Sequence, residues 1–91
     1  MKNTWTGRTN YHGNEITWTL NIVDGEFSKL AKVTINQQGF NSKTQTTTEV
    51  PPFEVNGDAV RYYMAVMLTH FVRSYCRDAF VSPASITVNR N

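Results

Sequence analysis

From Ile16 to Ile22 the chain alternates strictly between large apolar residues and threonine or asparagine. The apolar positions are Ile16, Trp18, Leu20 and Ile22. A period of two residues is typical of a β-strand that has one face in the core and the other in water. The pattern therefore predicts a half-buried strand that carries the large apolar residues on its core face.

The Asp24-Gly25 dipeptide after this strand predicts a β-hairpin, because type I′ turns need positive φ at both central residues. If these two residues form the loop, the predicted pairs are Val23 with Glu26, Ile22 with Phe27, Leu20 with Lys29, Trp18 with Ala31 and Ile16 with Val33. The predicted face of Trp18 then includes Phe27, Ala31, Val33 and Ile35. Lys29 is out of place there, and a bulge near Ser28–Leu30 would correct it. The rival interpretation is a short helix over Glu26–Lys32.

Weaker patterns predict two further strands. The segment TWTGRTNY favours a first strand that carries Trp5, with His12-Gly13-Asn14 as its turn. After a predicted turn at Asn36–Ser42, the segment Lys43–Val50 is rich in threonine, which favours a pleated surface. Because this segment is polar on both faces, we predict that it lies at a sheet edge and that Pro51-Pro52 ends it.

A long helix is predicted over Ala59–Phe80, AVRYYMAVMLTHFVRSYCRDAF, where apolar residues recur with helical periodicity. Asn56 or Asp58 is the predicted N-cap, and Asp58 also suits the positive end of the helix dipole. Ser82-Pro83 prevents any continuation of the helix. The remaining residues, SPASITVNRN, form either a short last strand that uses Ile86 and Val88 or a loose tail.

These elements predict one domain, spanning residues 1–91, of the α+β class. An antiparallel sheet of about four strands, in the order ββββα, is covered on one face by one long C-terminal helix. A short final strand is possible after the helix. We find no internal repeat, linker or second domain in the chain.

The predicted helix carries two stripes rather than one. A core stripe at helical spacing consists of Val60, Met64, Met67, Leu68, Phe71 and Tyr75. The opposite stripe consists of Tyr62, Val66, Thr69 and Arg73, with Arg77 and His70 beside it and Ala65, Val72 and Cys76 on the flank. The second stripe is covered either by another part of the chain, such as the N-terminal segment, the C-terminal tail or a curled sheet, or by a second copy or a different protein.

Composition narrows the class of protein only slightly. Nine Lys and Arg against seven Asp and Glu give a net charge of +2, which is mild for a dedicated nucleic-acid binder. One cysteine excludes an internal disulfide and fits a reducing compartment. The N-terminal residues lack the apolar run of a signal peptide, and no apolar stretch has the length of a membrane span. We therefore expect a cytoplasmic protein.

The candidate chemistry is sparse. His12 and His70 are the only histidines, and Cys76 follows His70 by six residues, a spacing that does not place both on one helix face. Zinc needs about four convergent ligands, so we expect no metal site and no cofactor. The glutamates are scattered at predicted strand ends and turns, and no phosphate-binding glycine loop is present. We expect no enzymatic activity, and we expect Cys76 to be a small buried apolar residue.

The leading functional hypothesis is a small protein-binding module that acts by occupying a partner, in dimeric form. Small mobile-element inhibitors of host or defence machinery share this profile of one compact domain without a cofactor. The predicted partner contacts are Tyr62, Val66, Thr69, Arg73 and Arg77, because tyrosine and arginine are enriched in interface hot spots. The polar strand Lys43–Val50 could also add to the sheet edge of a partner.

The alternative hypothesis is a single-stranded nucleic-acid-binding protein. A four-stranded sheet followed by a helix resembles, in topology only, PC4-like and Whirly-type single-strand binders. The resemblance implies a basic sheet with aromatic stacking platforms. The candidate residues here are Trp5, Arg8, Tyr11, Lys29, Lys32 and Lys43. In the competing interpretation, Trp5 and Tyr11 complete the core and the lysines keep an edge soluble.

Overall fold

A computed structural model describes residues 3–24, 29–37, 42–49 and 56–90 of the chain. The strands are β1 (Asn3–Tyr11), β2 (Asn14–Asp24), β3 (Lys29–Gln37), β4 (Ser42–Glu49) and β5 (Thr87–Arg90), and helix α1 spans Gly57–Arg73. The strands form one antiparallel sheet in the order β4-β3-β2-β1-β5. The predicted α+β fold is confirmed, and the segment after the helix is a strand rather than a loose tail.

The β1–β2 hairpin turns within the predicted His12-Gly13-Asn14 segment, but Asn14 already belongs to β2. Tyr11 pairs with Asn14, so His12 and Gly13 are the two loop residues, with φ of 50° and 84°. Positive φ at both positions is the geometry of a type I′ turn. The side-chain Oδ1 of Asn10 accepts a hydrogen bond from the Gly13 amide at 3.0 Å, which stabilises the turn.

The β2–β3 hairpin is present, but the predicted register is wrong. Trp18 pairs with Ile35 rather than with Ala31, which is four residues further along β3 than the prediction. The last pair of the ladder is Asp24 with Lys29, so a two-residue Asp24-Gly25 loop and the predicted partners Glu26 and Phe27 are excluded. The alternative short helix over Glu26–Lys32 is also wrong, because Lys29 begins β3.

The observed register has a clear physical advantage over the predicted one. Lys29 shares the face of Ala31 but lies opposite Asp24 at the end of the ladder, where it is exposed, so it stays outside the core and the predicted bulge near Ser28–Leu30 is not needed. A shift by an even number of residues leaves each side chain on the same face of the sheet. Ala31 and Val33 are therefore buried as expected, while Phe27 lies outside the described residues.

The core lies between one face of the sheet and the helix. The sheet contributes Trp5, Ile16, Trp18, Leu20, Ile22, Ala31, Val33 and Ile35. Helix α1 contributes Val60, Met64, Ala65, Leu68 and Val72, and the segment after it contributes Ala79, Val81 and Ile86. The other face of β2 carries threonine and asparagine, so this antiparallel sheet has one face in the core and one in water, as its alternation predicts.

Helix α1 is shorter than predicted. It ends at Arg73, so residues 74–80 of the predicted Ala59–Phe80 helix are not helical. The Ser74 hydroxyl donates to the Phe71 carbonyl oxygen at 2.6 Å, and the Ser74 amide turns to the same oxygen at 3.2 Å. This local bonding tightens the last turn. The chain then leaves the helix axis, which allows Ala79 and Val81 to enter the core.

Gly7 allows β1 to pack closely between its neighbours β2 and β5. It pairs with Trp18 of β2 on one side and with Val88 of β5 on the other. A Cβ atom at this position would overlap the Trp18 ring and the backbone carbonyl oxygen of Thr87. Only glycine therefore fits between these neighbours.

Candidate docking surface on the outer face of the helix

Helix α1 begins as predicted. Asn56 is the N-cap, and its Oδ1 accepts a hydrogen bond from the Ala59 amide at 2.9 Å. Asp58 lies in the first turn, where a carboxylate suits the positive end of the helix dipole. The same carboxylate pairs with the Arg61 guanidinium at 2.9 Å, so the local charge at this end of the helix is balanced.

The segment after the helix returns along it and is held at three positions. The Arg73 Nε donates to the Ala79 carbonyl oxygen at 2.8 Å. The Val81 amide donates to the Thr69 Oγ1 at 3.0 Å. Nearer the start of the helix, Arg61 Nε donates to the Ile86 carbonyl oxygen at 3.3 Å. We call residues 79–86 the return segment, and it covers one edge of the second helix stripe.

The return segment gives two of the predicted partner contacts a role within the chain. Thr69 is half-buried and its hydroxyl is occupied by the return segment. Arg73 is exposed, but its Nε is used within the chain. Both residues therefore have an internal role, which the helical spacing alone did not indicate.

The rest of the stripe is open among the described residues. Tyr62 is 63% exposed and Val66 is 57% exposed, as the sequence predicted. Phe80 is 67% exposed and lies between the two bonds that fix the return segment to Thr69 and Arg73. We call Tyr62, Val66 and Phe80 the outer patch.

Phe80 was missed by the sequence analysis because it was placed at the end of the predicted helix. The signal that could have found it is the alternation of Ala79, Phe80 and Val81. In an extended segment, burial of the first and third residues directs the middle one outward. The structure has this arrangement, with Ala79 and Val81 buried and Phe80 exposed.

Charged residues border the outer patch at the far end of the helix. Arg73 and Arg77 are exposed there, together with His70, and Asp78 follows Arg77. The two arginines outnumber the one aspartate, so this border has a positive excess. Long arginine side chains combine apolar stems with a charged tip, which suits the rim of a protein interface.

A second polar cluster lies beneath the end of the helix, on the core side. Gln37 is fully buried, at 0% exposure, and its Oε1 accepts a hydrogen bond from the Tyr75 hydroxyl at 2.6 Å. Cys76 Sγ lies 3.9 Å from the Tyr11 hydroxyl and packs against the core, but the residue is half-buried rather than buried as predicted. The pKa of the Tyr11 hydroxyl is raised, mainly because partial burial disfavours its charged form and to a smaller extent because of the contact with Cys76.

The Tyr75 hydrogen bond should contribute measurably to stability. We expect Tyr75→Phe to lower the free energy of unfolding by about 1–2 kcal/mol, because it leaves a buried amide oxygen without this donor. Urea denaturation measures the change. Tyr62→Phe is the matched control and should change stability by less than about 0.5 kcal/mol, since Tyr62 is exposed. A cost for Tyr75→Phe no larger than that of the control would contradict the prediction.

The described residues contain no group of three or more histidine, cysteine, aspartate or glutamate side chains that could hold a metal ion. His12 lies in the β1–β2 turn, far along the chain from His70 and Cys76, which lie on the helix and beyond its end. Within the same described ranges, none of the helices is long and apolar enough to cross a membrane.

The six residues of the nucleic-acid hypothesis do not share one surface. Trp5 is only 5% exposed and packs in the core, which corrects its predicted role as a stacking platform. Tyr11 is half-buried against the same core. Arg8 and Lys32 are exposed on the polar face of the sheet, and Lys29 is exposed at the start of β3. Lys43 belongs to β4, and its side chain lies outside the described part of the structure.

The polar face of the sheet forms a broad, shallow concavity of about 770 Å³. Its lining residues are mostly polar and are Thr6, Gly7, Arg8, Glu15, Thr17, Trp18, Thr19, Thr34, Asn36, Thr87 and Asn89. Arg8 and Glu15 pair across it at 3.8 Å, both with substantial exposure. Since Trp18 is almost fully buried, the described side chains on this face include no exposed aromatic ring on which a base or sugar could stack.

Comparisons with known proteins give no relative on which a function could be based. No protein-family model matches the chain, and searches of curated proteins and of solved structures also found no match.

Proposed function

We propose that this protein is a small, non-enzymatic binding module that docks on another protein through the outer patch of helix α1. The observation that carries the proposal is the exposure of Tyr62, Val66 and Phe80, each more than half exposed in a small domain. Two exposed residues on α1 and an exposed phenylalanine on the return segment bonded to it exceed the scattered exposure of apolar residues that is normal on a surface.

The return segment supports this assignment. It covers the edge of the helix at Thr69 and is itself buried at Ala79 and Val81, so the core side of the helix is satisfied within the chain. Within the described ranges, the outer patch is left largely uncovered. A patch that contains tyrosine and is bordered by arginine has the composition enriched in interface hot spots. Because Arg73 and Arg77 give that rim a positive excess, a partner with an acidic rim fits it best.

The proposed mode of action is occupation of a partner, in the manner of small inhibitory proteins, in the cytoplasm. Such a function requires a rigid surface rather than reactive groups. Val60, Met64 and Leu68 are fully buried, so packing against the sheet holds helix α1 in place. A preformed surface of this kind binds with little loss of conformational entropy.

The proposal is tested by affinity capture from native host lysate with three matched baits. These are the wild type, Val66→Asp in the outer patch, and Asn36→Asp on the exposed polar face of the sheet. Both substitutions change the charge by one unit at an exposed position. We expect a protein that the wild type and Asn36→Asp retain and that Val66→Asp loses, with weaker retention at high salt. Retention of the same proteins by all three baits would contradict the proposal.

Single-stranded oligonucleotide is the competing ligand in the same design. Binding that weakens steeply with salt and is lost in Arg8→Ala or Lys32→Ala would favour the nucleic-acid hypothesis instead. We expect no such binding, because Trp5 is buried in the core and Tyr11 is half-buried against it.

A further inference from the structure

The two edges of the sheet are built very differently. At one edge, β5 has four residues, follows the Pro83–Ser85 turn and ends with Arg90. Short length, a nearby proline and a terminal charge are the features with which proteins prevent unwanted pairing of edge strands. This edge is therefore protected against association.

The other edge has none of these features in its centre. Strand β4 has eight residues and pairs with β3 at every position from Ser42 to Glu49, without a bulge. Its central residues, Thr44–Thr48, include no charge and no proline. Of the described strands, none pairs with the outer side of β4. A long, regular and uncharged edge is a template for another strand.

We propose that β4 pairs with β4 of a second copy of this chain, antiparallel, so that two five-stranded sheets join into one sheet of ten strands. The contact is isologous, since the same strand is presented by both copies across a twofold axis. The axis is normal to the sheet, which keeps both helices on the same side.

The parity of the strand restricts the register of this contact. Directly opposed residues of an antiparallel pair have their side chains on the same face of the sheet. With the axis normal to the sheet, opposed residues must therefore both be even-numbered or both be odd-numbered. The twofold axis must then lie midway between the two copies of one residue, so that this residue stands opposite itself.

A register centred on Thr46 satisfies this condition and also matches charge. The opposed positions are Lys43 with Glu49, Thr44 with Thr48, Gln45 with Thr47 and Thr46 with itself. Opposite charges thus stand at directly paired positions at both ends of the contact, which stabilises a cross-strand pair. Centring on Gln45 would place Lys43 opposite Thr47, and centring on Thr47 would place it opposite Pro51. Of these three registers, only the one centred on Thr46 opposes Lys43 to Glu49, and it pairs every residue from Lys43 to Glu49.

This dimer is independent of the proposed docking function, because the two surfaces belong to different elements. The outer patch lies on α1 and the return segment, whereas the dimer contact uses only the edge of β4. A dimer would present two outer patches on the same side of the joined sheet. Loss of dimerisation therefore leaves each single patch able to bind.

Charge reversal with rescue tests the contact. Analytical ultracentrifugation over a range of concentrations compares the wild type with Lys43→Glu, Glu49→Lys and the double variant. Lys32→Glu is the control, because Lys32 is exposed on β3 and its replacement makes the same charge change away from the edge. We expect a dimeric wild type, dimers weakened on the order of tenfold in each single variant, and restored affinity in the double variant.

Net charge separates this local effect from general repulsion. Lys43→Glu lowers the net charge of +2 by two, to zero, whereas Glu49→Lys raises it by two, to +4. General repulsion would therefore strengthen the first dimer and weaken the second, while direct pairing weakens both. A wild type that is monomeric at all concentrations, or a dimer that single reversals leave unchanged, would overturn the proposal.

A cysteine at the twofold axis gives a second, structure-specific readout. In a Cys76→Ser background, Thr46→Cys places two thiols at opposed positions, whose Cα separation of about 4.5–5.5 Å suits a disulfide. Thr17→Cys, exposed on β2, is the control. We expect Thr46→Cys to cross-link on mild oxidation much faster than the control. Equal rates for the two variants would reject the Thr46 register.

Discussion

Gly7→Ala is expected to lower the free energy of unfolding by about 3 kcal/mol, at the upper end of the costs of overpacking. The added methyl group would overlap the carbonyl oxygen of Thr87 and the ring of Trp18. The ring can be displaced only into a filled core, and the carbonyl belongs to β5, which pairs with β1 across Gly7. Relief therefore requires the separation of two strands or the loss of the Trp18 position.

Gly57→Ala is the matched control for this effect. Gly57 is the first residue of α1, and a Cβ atom there would have no neighbour within 4 Å. Alanine should stabilise the chain slightly, by about 0.5 kcal/mol, because it reduces the freedom of the unfolded backbone. Urea or thermal denaturation should therefore show opposite signs for the two Gly→Ala variants. A Gly7→Ala variant as stable as the wild type would contradict the close packing at this position.

Ile86→Ala is expected to destabilise the protein by about 3 kcal/mol, since a buried isoleucine is lost and a cavity is left. Ile86 is only 3% exposed and its carbonyl oxygen holds Arg61, so the return segment is part of the core. The loss should also loosen β5, which begins at the next residue. Thermal denaturation should show a decrease in Tm of more than about 10 °C.

Phe80→Ala tests whether burial rather than side-chain size determines the loss of stability in the return segment. Phenylalanine is larger than isoleucine, yet Phe80 is 67% exposed. Its removal should change stability by less than about 0.5 kcal/mol while it weakens capture of a partner through the outer patch. If Phe80→Ala unfolded the chain and Ile86→Ala did not, the described path of the return segment would be wrong.

Local patterns predicted most of the fold. The alternation around Trp18 identified β2 and its core face, the His12-Gly13-Asn14 segment located the first turn to within one residue, and Asn56 was among the predicted caps. Each of these features is determined by neighbours in the sequence. The polar edge strand was also found, because threonine on both faces does not suit a central strand.

The features that sequence analysis missed depend on distant contacts. The Asp24-Gly25 dipeptide suggested a tight loop, but the ladder ends at the Asp24–Lys29 pair. Both registers bury the same faces, and packing of Trp18 against Ile35 rather than Ala31 is not encoded by any local pattern. Gly7 was likewise overlooked, since its neighbours at Trp18 and Thr87 are remote in sequence.

The candidate site was predicted only in part for the same reason. Helical spacing placed Tyr62 and Val66 on the outer face correctly. It also continued the helix to Phe80, because the apolar residues there fit a helical period as well as an extended one. The internal roles of Thr69 and Arg73 depend on the path of the return segment, and the periodicity of the sequence does not predict that path.

The position of β5 beside β1 has a consequence for how the chain is made. Arg90 Nη2 donates to Asn3 Oδ1 at 3.0 Å, a contact between residues 87 positions apart. During synthesis β1 has no neighbour on that side until residues 87–90 have left the ribosome, so its outer edge stays open while the rest of the sheet assembles. Closing such a long loop is also a slow, late step of folding. The outer edge of β1 is therefore open to mispairing for longer than its inner edge, which β2 covers first.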